Sequence, residues 1–434
     1  MKDFIDKKGE FWFETDEEYK FCGKLIEKTN AFFLKTDINK NIIIPEKYVT
    51  IVGRIGNNPI TLYKCSLTNN PLKKVFLVRY VFENYNNETK LNFNTINIKF
   101  HNLEEWIEKD SFDTTFENNS HIITPMKKKI PYKYRNGNVN FILAYSTTIK
   151  SNSFTIKNKY HIQLEFNSPQ NFDEILKNIN SLKNFLTLSM YNPTNIKNIR
   201  CQTKSSTKLN EINVYSKLLD YTPTEFSRYN SLLYFSDIEL KHDIFERWFN
   251  TYDKYKPLFD IYFTNFPNNI TIEYQFLSYT QALEAYMRKN ELFKDYFIES
   301  KEYEIVKNEL KEYVNNSIMS NDQKESWKNG KIEFGNEVSL RKRLKDLIKY
   351  LDKFDITKKI TNGNNKKFID DVVELRNYYT HYGHDNKPDI YHVISLTFNL
   401  KLLLELCILN ELNFDKEFID YTLNRVYERK SIII

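Results

Sequence analysis

Residues 372–383 read Val-Val-Glu-Leu-Arg-Asn-Tyr-Tyr-Thr-His-Tyr-Gly, and this stretch decides how the second half of the chain is interpreted. Apolar side chains in and before it recur at spacings of four, three and four, which is the period of one face of an α-helix; they are Phe368, Val372, Leu375 and Tyr379. Gly383 follows and ends the helix, since glycine enters the left-handed conformation freely. The pattern predicts an amphipathic helix over residues 366–382.

Arg376, Asn377 and His381 are the candidate catalytic residues of this helix. An arginine holds a phosphate with a planar, permanently charged fork, and a histidine moves a proton near neutral pH. Together they supply the functional groups that cleavage of an RNA phosphodiester requires when no metal takes part. Asn377 and His381 share one helix edge, but Arg376 points about 140° away from His381 on an ideal helix. A flexible side chain, a frayed last turn or a second subunit must close that gap.

Composition excludes several classes of protein. A chain of 434 residues has room for two or three domains and an ample core. The net charge of +6 is too small to imply a global affinity for nucleic acid. The four cysteines are isolated, so we expect neither zinc nor disulfides. The sequence has no Walker loop, dinucleotide fingerprint or Ser-His-Asp signature, and we expect no metal and no cofactor.

The sequence also argues against a membrane location. Residues 1–20 are charged throughout and cannot be a secretory signal. The most apolar stretch, residues 393–409, contains Lys401 and Glu405 and is interpreted as a buried helix and not as a membrane span. We therefore expect a cytoplasmic protein.

The first part of the chain has the pattern of antiparallel β-structure. Short runs rich in β-branched and aromatic residues are separated by Gly, Asn, Asp and Pro, which predicts a sandwich or barrel-like arrangement. Residues 103–107 are predicted to form one helical turn on an edge. The predicted strands are 19–27, 31–36, 48–55, 60–67, 75–82, 95–100, 140–147 and 160–166.

The pattern then changes to a helical period. A helix is predicted from residue 172 to about 188, followed by a mixed stretch that ends the first module near residue 240. The predicted helices of the second module are 242–255, 272–288, 302–317, 339–354, 366–382, 388–410 and 415–429. The fold class is therefore α+β, with a β-rich, sandwich-like domain at 1–240 and an all-α bundle at 241–434.

Further residues are candidates for RNA binding, each with a structural alternative. Tyr378 and Tyr382 can stack on an unpaired base, whereas core packing is the expected role of Tyr379. His384 is a second candidate, with a plain loop position as the alternative. Arg341, Arg343 and Lys345 share a helix that can line a cleft. The densest basic cluster can steer RNA or form a solvated loop; its lysines are Lys127, Lys128 and Lys129.

Several motifs, in this order, resemble the ApeA-like subgroup of HEPN proteins. Arg-Asn-x-x-x-His near the end of a late helix resembles the HEPN motif, and Gln-Ala-Leu-Glu at 281–284 resembles the first long HEPN helix. Ser-Leu-Arg at 339–341 resembles a recurrent segment of the subgroup. The β-rich leader domain is matched by Phe-Trp-Phe at 11–13, Gly-Lys-Leu at 23–25, Ile-Val-Gly at 51–53, Thr-Leu at 61–62 and Phe-Leu-Thr-Leu at 185–188.

The resemblance implies an abortive-infection, anti-phage ribonuclease. It implies metal-independent cleavage of RNA, with tRNA anticodon loops as one expected target, in a HEPN homodimer or higher homo-oligomer whose two motifs meet in one cleft. The leader is expected to sense a phage-derived trigger or to restrain the nuclease. Glu284 can pair with Arg376 across the bundle and position it, with an ordinary surface glutamate as the alternative.

Two other functions stay open from the sequence. The first is a non-catalytic HEPN module that binds nucleotides or a partner, with the β-rich domain as recogniser. The intact histidine favours the enzyme, because a binding module has no need of it. The second is a metal-dependent nuclease, which is disfavoured because acidic residues and histidines do not cluster in one motif.

Overall fold

The computed structural model describes residues 4–38, 47–68, 74–85, 91–117, 120–204, 209–219, 224–266, 270–381 and 388–430. The chain divides into two compact units, Met1–Phe249 and Asn250–Ile434. The first unit is built mainly of strands and the second of helices. The predicted α+β fold class, with a β-rich part followed by a helical part, is confirmed.

The first unit contains all of the strands assigned within the described residues. Its helices are α1 (Leu103–Ile107), α2 (Phe172–Met190), α3 (Phe235–Glu239) and the start of α4 (Ile244–Lys254). The strands are β1 (Lys8–Phe13), β2 (Asp16–Lys28), β3 (Ala31–Thr36), β4 (Val49–Ile55), β5 (Asn58–Leu67), β6 (Val75–Glu83), β7 (Asn92–Phe100), β8 (Phe112–Glu117), β9 (Ser120–Pro125), β10 (Lys128–Tyr134), β11 (Gly137–Leu143), β12 (Tyr145–Lys150), β13 (Ser153–Asn158), β14 (His161–Asn171), β15 (Ile196–Lys204) and β16 (Leu209–Tyr215).

Strands β1–β6 close into an antiparallel barrel. Their order is β6-β3-β2-β1-β4-β5, and β5 pairs back with β6. Fully buried side chains such as Phe11, Phe32 and Leu34 fill the interior. Gly53 lies so close to the Phe11 ring that a Cβ at this position would clash with Phe11 Cδ1. Closure removes the exposed strand edges that an open sheet of this size would carry.

Strand β6 also joins the barrel to an open sheet. Its first half pairs with β3, and its last residues pair with β16. From there the sheet continues in the order β16-β15-β7-β14-β11-β10. Ile98, Ile162 and Ile199 are fully buried on one face of this sheet, and α2 packs against β14 and β7.

Helix α2 begins where the sequence predicts. The Asn171 side chain caps it by accepting a hydrogen bond of 3.0 Å from the Glu174 backbone N–H. Trp248, in the first half of α4, donates from Nε1 to the Ser181 carbonyl at 3.0 Å, and its ring packs on Phe185. The first half of α4 therefore belongs to the core of the first unit.

The second unit is helical. It holds the end of α4 and a π-helical stretch, Trp327–Ile332, that follows α8. Its other helices are α5 (Lys256–Thr264), α6 (Ile272–Lys289), α7 (Ser300–Asn315), α8 (Asn321–Ser326), α9 (Leu340–Leu351), α10 (Ile356–Ile360), α11 (Asn365–His381), α12 (Ile390–Glu411) and α13 (Lys416–Lys430). Helix α6 packs against α5 and α12, and α11 packs against α9 and α6.

A carboxylate network links the end of α12 to the end of α6 and to the residue before α5. Glu411, at the end of α12, accepts hydrogen bonds from the hydroxyls of Tyr255 and Tyr286 at 3.2 and 2.8 Å and from Asn290 Nδ2 at 3.1 Å. Among the described helices, α12 alone is long and apolar enough to cross a membrane, but most of it is buried within the protein. Burial of this kind is typical of the core helix of a soluble protein.

The strand and helix boundaries depart from the sequence interpretation in a few places. The strand predicted at 140–147 is two strands, β11 and β12, which separate at Ala144. The helical turn at 103–107 is present as α1, but Trp106 is fully buried and donates to the Leu233 carbonyl, so the turn is a core element. The sequence interpretation also missed several strands, which are β1, β8, β9, β10 and β13, together with β15 and β16 in the mixed stretch before residue 240.

Candidate active site

Helix α11 carries the candidate catalytic residues. Phe368, Ile369, Val372 and Leu375 are buried on the face that packs against α9 and α6. This apolar stripe fixes the rotation of the helix, because any other rotation would expose it. The polar residues of the last turn are thereby directed away from the bundle core.

Arg376 and Asn377 contact each other at this end of α11. Arg376 is half-buried, and its Nη1 donates to Asn377 Oδ1 at 3.3 Å. Its backbone carbonyl accepts a bond of 2.7 Å from the Thr380 hydroxyl. Within the described ranges, no carboxylate lies within ion-pair distance of Arg376. The guanidinium therefore keeps donors for an external anion.

His381 is the last described residue of α11, and its side chain is exposed. On an ideal helix it points within about 40° of Asn377 and about 140° from Arg376. Asn377 and His381 thus share a face, and Arg376 lies outside it. Two further candidates, Tyr382 and His384, lie outside the described residues.

A groove of about 900 Å³ runs between α9 and the first turns of α11. Asp370, on its α11 side, points within about 20° of both Asn377 and His381, so the groove and these two residues share one helix face. Three aspartates line the groove together with five cations, which are Arg341, Lys342, Lys345, Lys349 and Lys366.

Three of these cations are available for a ligand. Arg341 forms an ion pair with Asp370, and Lys342 lies 2.6 Å from Asp346. In the part of the chain that the structure describes, Lys345, Lys349 and Lys366 have no carboxylate at ion-pair distance. Lysines of this kind bind phosphate as point charges.

Arg343, a predicted RNA-binding residue, has a structural role instead. Its side chain is 1% exposed and lies 2.8 Å from the Asp295 carboxylate. Its Nε also donates to the Val338 carbonyl at 3.1 Å. Arg343 is two residues from Arg341 and so points about 200° away from it, into the bundle and away from the groove.

Glu284 does not pair with Arg376. It accepts a hydrogen bond of 3.3 Å from Arg288 Nη2, one turn further along α6, and Arg288 also binds Glu337. Burial acts to lower the pKa of Arg288, but these two carboxylates together outweigh it and hold the pKa above its usual value. The predicted positioning role of Glu284 is absent from this conformation.

Lys127, Lys128 and Lys129 are exposed at the start of β10 in the first unit. Lys128 lies 3.6 Å from Glu239, and Lys129 lies 3.1 Å from Glu165. These carboxylates reduce the positive field of the cluster. Its role in binding RNA stays a prediction.

The two described tyrosines of the motif contact each other. The Tyr379 ring lies 6.1 Å from Phe276 on α6, which agrees with the expected packing role. The Tyr378 ring lies 5.3 Å from Tyr379 in an edge-on arrangement and is half-buried. Base stacking by Tyr378 stays a prediction.

The described residues contain no group of three or more His, Cys, Asp or Glu side chains that could hold a metal ion. The chemistry available at the end of α11 is that of a guanidinium, an amide and an imidazole. The sequence interpretation missed Lys342, Lys349 and Lys366 of the groove. The four-residue spacing of Arg341, Lys345 and Lys349 on α9 was the available signal.

Comparison with known families now identifies the chain. Residues 6–250, more than half of the chain, match the ApeA N-terminal domain 1 family, and residues 277–418 match the Apea-like HEPN family. The protein is therefore a HEPN protein of the ApeA-like family, and the resemblance noted in the sequence is confirmed. No curated protein and no solved structure matches the chain significantly.

Family membership defines the general type of protein. HEPN domains are generally ribonuclease folds, and the two matching families together are typical of anti-phage, abortive-infection proteins. The HEPN match includes α9, α11 and the groove between them. The candidate residues therefore lie within the part of the chain that carries the nuclease fold.

Proposed function

We propose that this protein is a metal-independent endoribonuclease of an abortive-infection system, with Arg376, Asn377 and His381 as its catalytic residues. The observation that carries the proposal is that two groups lie together in the last turns of α11: Arg376, which has no carboxylate partner among the described residues, and an exposed His381. A lysine-rich groove on the same helix supports RNA as the substrate.

The chemistry needs no group beyond the chain and its substrate. The 2′-hydroxyl of the RNA attacks the adjacent phosphorus and loses its proton to a base, while the 5′-oxygen leaves and takes a proton from an acid. One copy of His381, in its neutral form, accepts the proton of the 2′-hydroxyl, and the copy of a second chain, in its protonated form, supplies the proton of the 5′-oxygen. Arg376 balances the charge that grows on the phosphorane, and Asn377 orients Arg376 or the phosphate. The products are a 2′,3′-cyclic phosphate and a 5′-hydroxyl.

We further propose that two chains build one site. Arg376 points about 140° from His381, so one α11 presents these side chains to different directions. A second copy related by a two-fold axis places its own Arg376 and His381 opposite those of the first copy, so that both kinds of side chain face one cleft. If so, specific activity falls on dilution together with the dimer fraction, measured by light scattering. Full activity of a monomer contradicts the two-chain site.

The first unit is proposed to sense a phage-derived trigger and to restrain the nuclease in the cytoplasm. A constitutive ribonuclease would kill its host, and restraint requires two states whose balance a ligand shifts. Transfer RNA is one proposed target, because anticodon loops present unpaired nucleotides.

The test is induced expression of wild type and His381→Ala in bacteria, with and without phage infection, followed by sequencing of 2′,3′-cyclic phosphate ends. In infected cells, wild type is expected to stop growth and to produce these ends, and His381→Ala is expected to do neither. His242→Ala, which removes another exposed histidine, is the matched control.

Equal protein levels are required of all three chains. If growth arrest and 2′,3′-cyclic phosphate ends persist in His381→Ala, the catalytic assignment of His381 is wrong. Arrest without new RNA ends, in wild type and variant alike, favours the non-catalytic HEPN module that binds nucleotides or a partner.

A further inference from the structure

The open sheet of the first unit has one apolar face and one polar face. Ile98 of β7, Ile162 of β14 and Ile199 of β15 are directly paired across the strands and fully buried. Because side chains alternate along a strand, the residues on either side of these isoleucines point to the opposite face. They form two further rows of side chains. Asn97 pairs with Gln163 and Arg200 in one row, and Lys99 pairs with Asn198 in the other, next to His161 at the start of β14.

This second face holds a pocket of about 210 Å³. Its polar lining converges from four neighbouring strands, β14, β7, β15 and β16, and from the loop before β14. The residues that matter are Lys99, Lys159, His161 and Arg200, with the amides of Asn97 and Asn198 beside them. Gln163 Nε2 donates to Asn97 Oδ1 at 3.1 Å and holds that amide in place.

Positive charge in the pocket exceeds negative charge. Glu211 is the acidic residue of the lining, and it is engaged by Arg200 at 3.4 Å and by Gln202 at 3.5 Å. Over the described ranges, Lys99 and Lys159 have no carboxylate within ion-pair distance. Two lysines, an arginine and a histidine are thus gathered around one cavity with a single carboxylate.

The pKa values of Lys99 and His161 reflect their burial and the positive charges around them. Burial, with Lys159 and Arg200 next in importance, lowers the pKa of Lys99, and Glu104 partly opposes this. Burial lowers the pKa of His161 to about 4, with further contributions from Lys99, Lys127 and Arg200. Folding has placed like charges together at an energetic cost, and a bound anion would offset that cost.

We propose that this pocket binds the phosphate group of a small phosphate ester, such as a nucleoside monophosphate. Lys99, Lys159 and Arg200 would hold the phosphate oxygens by charge-assisted hydrogen bonds, and His161 would offer one more polar contact. The amides of Asn97 and Asn198 would bind the polar groups of the ester. The site lies on strands of the first unit, and it does not depend on the proposed nuclease activity.

Two observations favour a small ligand over an RNA strand. The cavity is smaller than the roughly 300–1,000 Å³ typical of pockets for drug-sized molecules, so it fits a phosphate and its nearest substituent. The positive charge is also bounded. On one side of the pocket, Lys129 is paired with Glu165 of β14, which is two strands from β15. On the other side, Arg200 of β15 is paired with Glu211 of β16. A strand of RNA would need a continuous positive track.

The test is calorimetric titration of the full-length protein with inorganic phosphate, adenosine monophosphate and an unphosphorylated oligoribonucleotide. The double variant Lys99→Gln/Lys159→Gln should weaken the binding of phosphate and of the monophosphate by about tenfold or more, since losing one charge-assisted bond has an effect of that size. Lys35→Gln/Lys150→Gln, which removes two exposed lysines elsewhere in the unit, should bind as wild type does.

A second measurement does not depend on the variants. In wild-type protein, saturating phosphate should raise the pKa of His161 from about 4, because an anion beside the ring stabilises the imidazolium. The histidine signal is followed by NMR and assigned with His161→Asn. No binding by wild type, equal binding by the double variant, or an effect of the variant on the oligoribonucleotide alone would overturn the proposal.

Discussion

The guanidinium of Arg343 lies 2.8 Å from the carboxylate of Asp295 and is almost completely buried. The same side chain donates to the backbone carbonyls of Val338 and Asp295, so it joins the start of α9 to the segment that follows α6. Arg341, two residues earlier, is half exposed and pairs with Asp370 at the rim of the groove. Two arginines separated by one residue on the same helix therefore have different roles, one in stability and one at the candidate site.

We predict that Arg343→Ala lowers the free energy of unfolding by about 3 kcal/mol, because it removes a buried charge from its partner and leaves a cavity. Arg341→Ala should change the same quantity by less than about 1 kcal/mol, as exposed ion pairs do. Urea unfolding followed by circular dichroism measures both. Equal losses in the two variants would contradict the division of roles.

These arginines also show what the sequence could predict. Helical periodicity was sufficient to place Arg376, Asn377 and His381 at the end of α11, because Phe368, Val372 and Leu375 fix its buried face. The same periodicity would have separated Arg341 from Arg343, since Leu344, Leu347 and Ile348 share the buried side of α9.

Strands β15 and β16 were harder to predict. Ile199, Cys201, Ile212 and Val214 alternate with polar residues, but Asn, Lys and Thr around them weaken the strand signal. Their place is set by pairing with β7 and β6, which are about 100 residues or more away. The barrel depends on non-local pairing too, because β3 pairs with β6 and β1 with β4 across about 40 residues of chain. Local sequence does not encode such pairing.

Arg376→Lys is predicted to lower kcat/KM for RNA cleavage on the order of 10²-fold. Lysine keeps the charge but loses the planar fork, and stabilisation of a developing anion depends on such aligned donors. Arg288→Lys, at the end of α6, makes the same chemical change outside the site and should cleave as wild type does. Full activity of Arg376→Lys would show that a point charge is enough.

Cleavage is predicted to continue at an unchanged rate in excess EDTA. The proposed site uses His381 for proton transfer and Arg376 for charge stabilisation, and neither step calls for a cation. The measurement is a time course on an unstructured RNA, so that removal of Mg²⁺ does not alter the substrate. If EDTA abolishes the activity and Mg²⁺ or Mn²⁺ restores it, the protein is a metal-dependent nuclease and the prediction is wrong.

The groove lysines are predicted to bind substrate and not to act in chemistry. The triple variant Lys345→Gln/Lys349→Gln/Lys366→Gln should raise KM with kcat nearly unchanged. The slope of log affinity against log salt concentration should become shallower by about 0.7 for each phosphate of a single strand that the variant no longer neutralises. Lys289→Gln/Lys301→Gln/Lys358→Gln, with the same charge change on other helices, is the control. An unaltered salt slope in the groove variant would exclude phosphate binding there.

Restraint of the nuclease by the first unit is tested by expressing residues 250–434 alone. The structure sets this boundary, because Trp248 and Phe249 pack against Ser181 and Tyr134 of the first unit. A fragment that began at residue 241 would expose both aromatic side chains and favour aggregation.

Folding of the shorter fragment is checked by circular dichroism and a cooperative thermal transition. If the first unit restrains, the folded fragment arrests growth more strongly than the full chain at equal protein level, and His381→Ala in the fragment abolishes the arrest. A fragment that folds but stays inactive until residues 1–249 are added in trans would mean that the first unit helps to build the site or to capture RNA. The assignment of restraint would then be wrong.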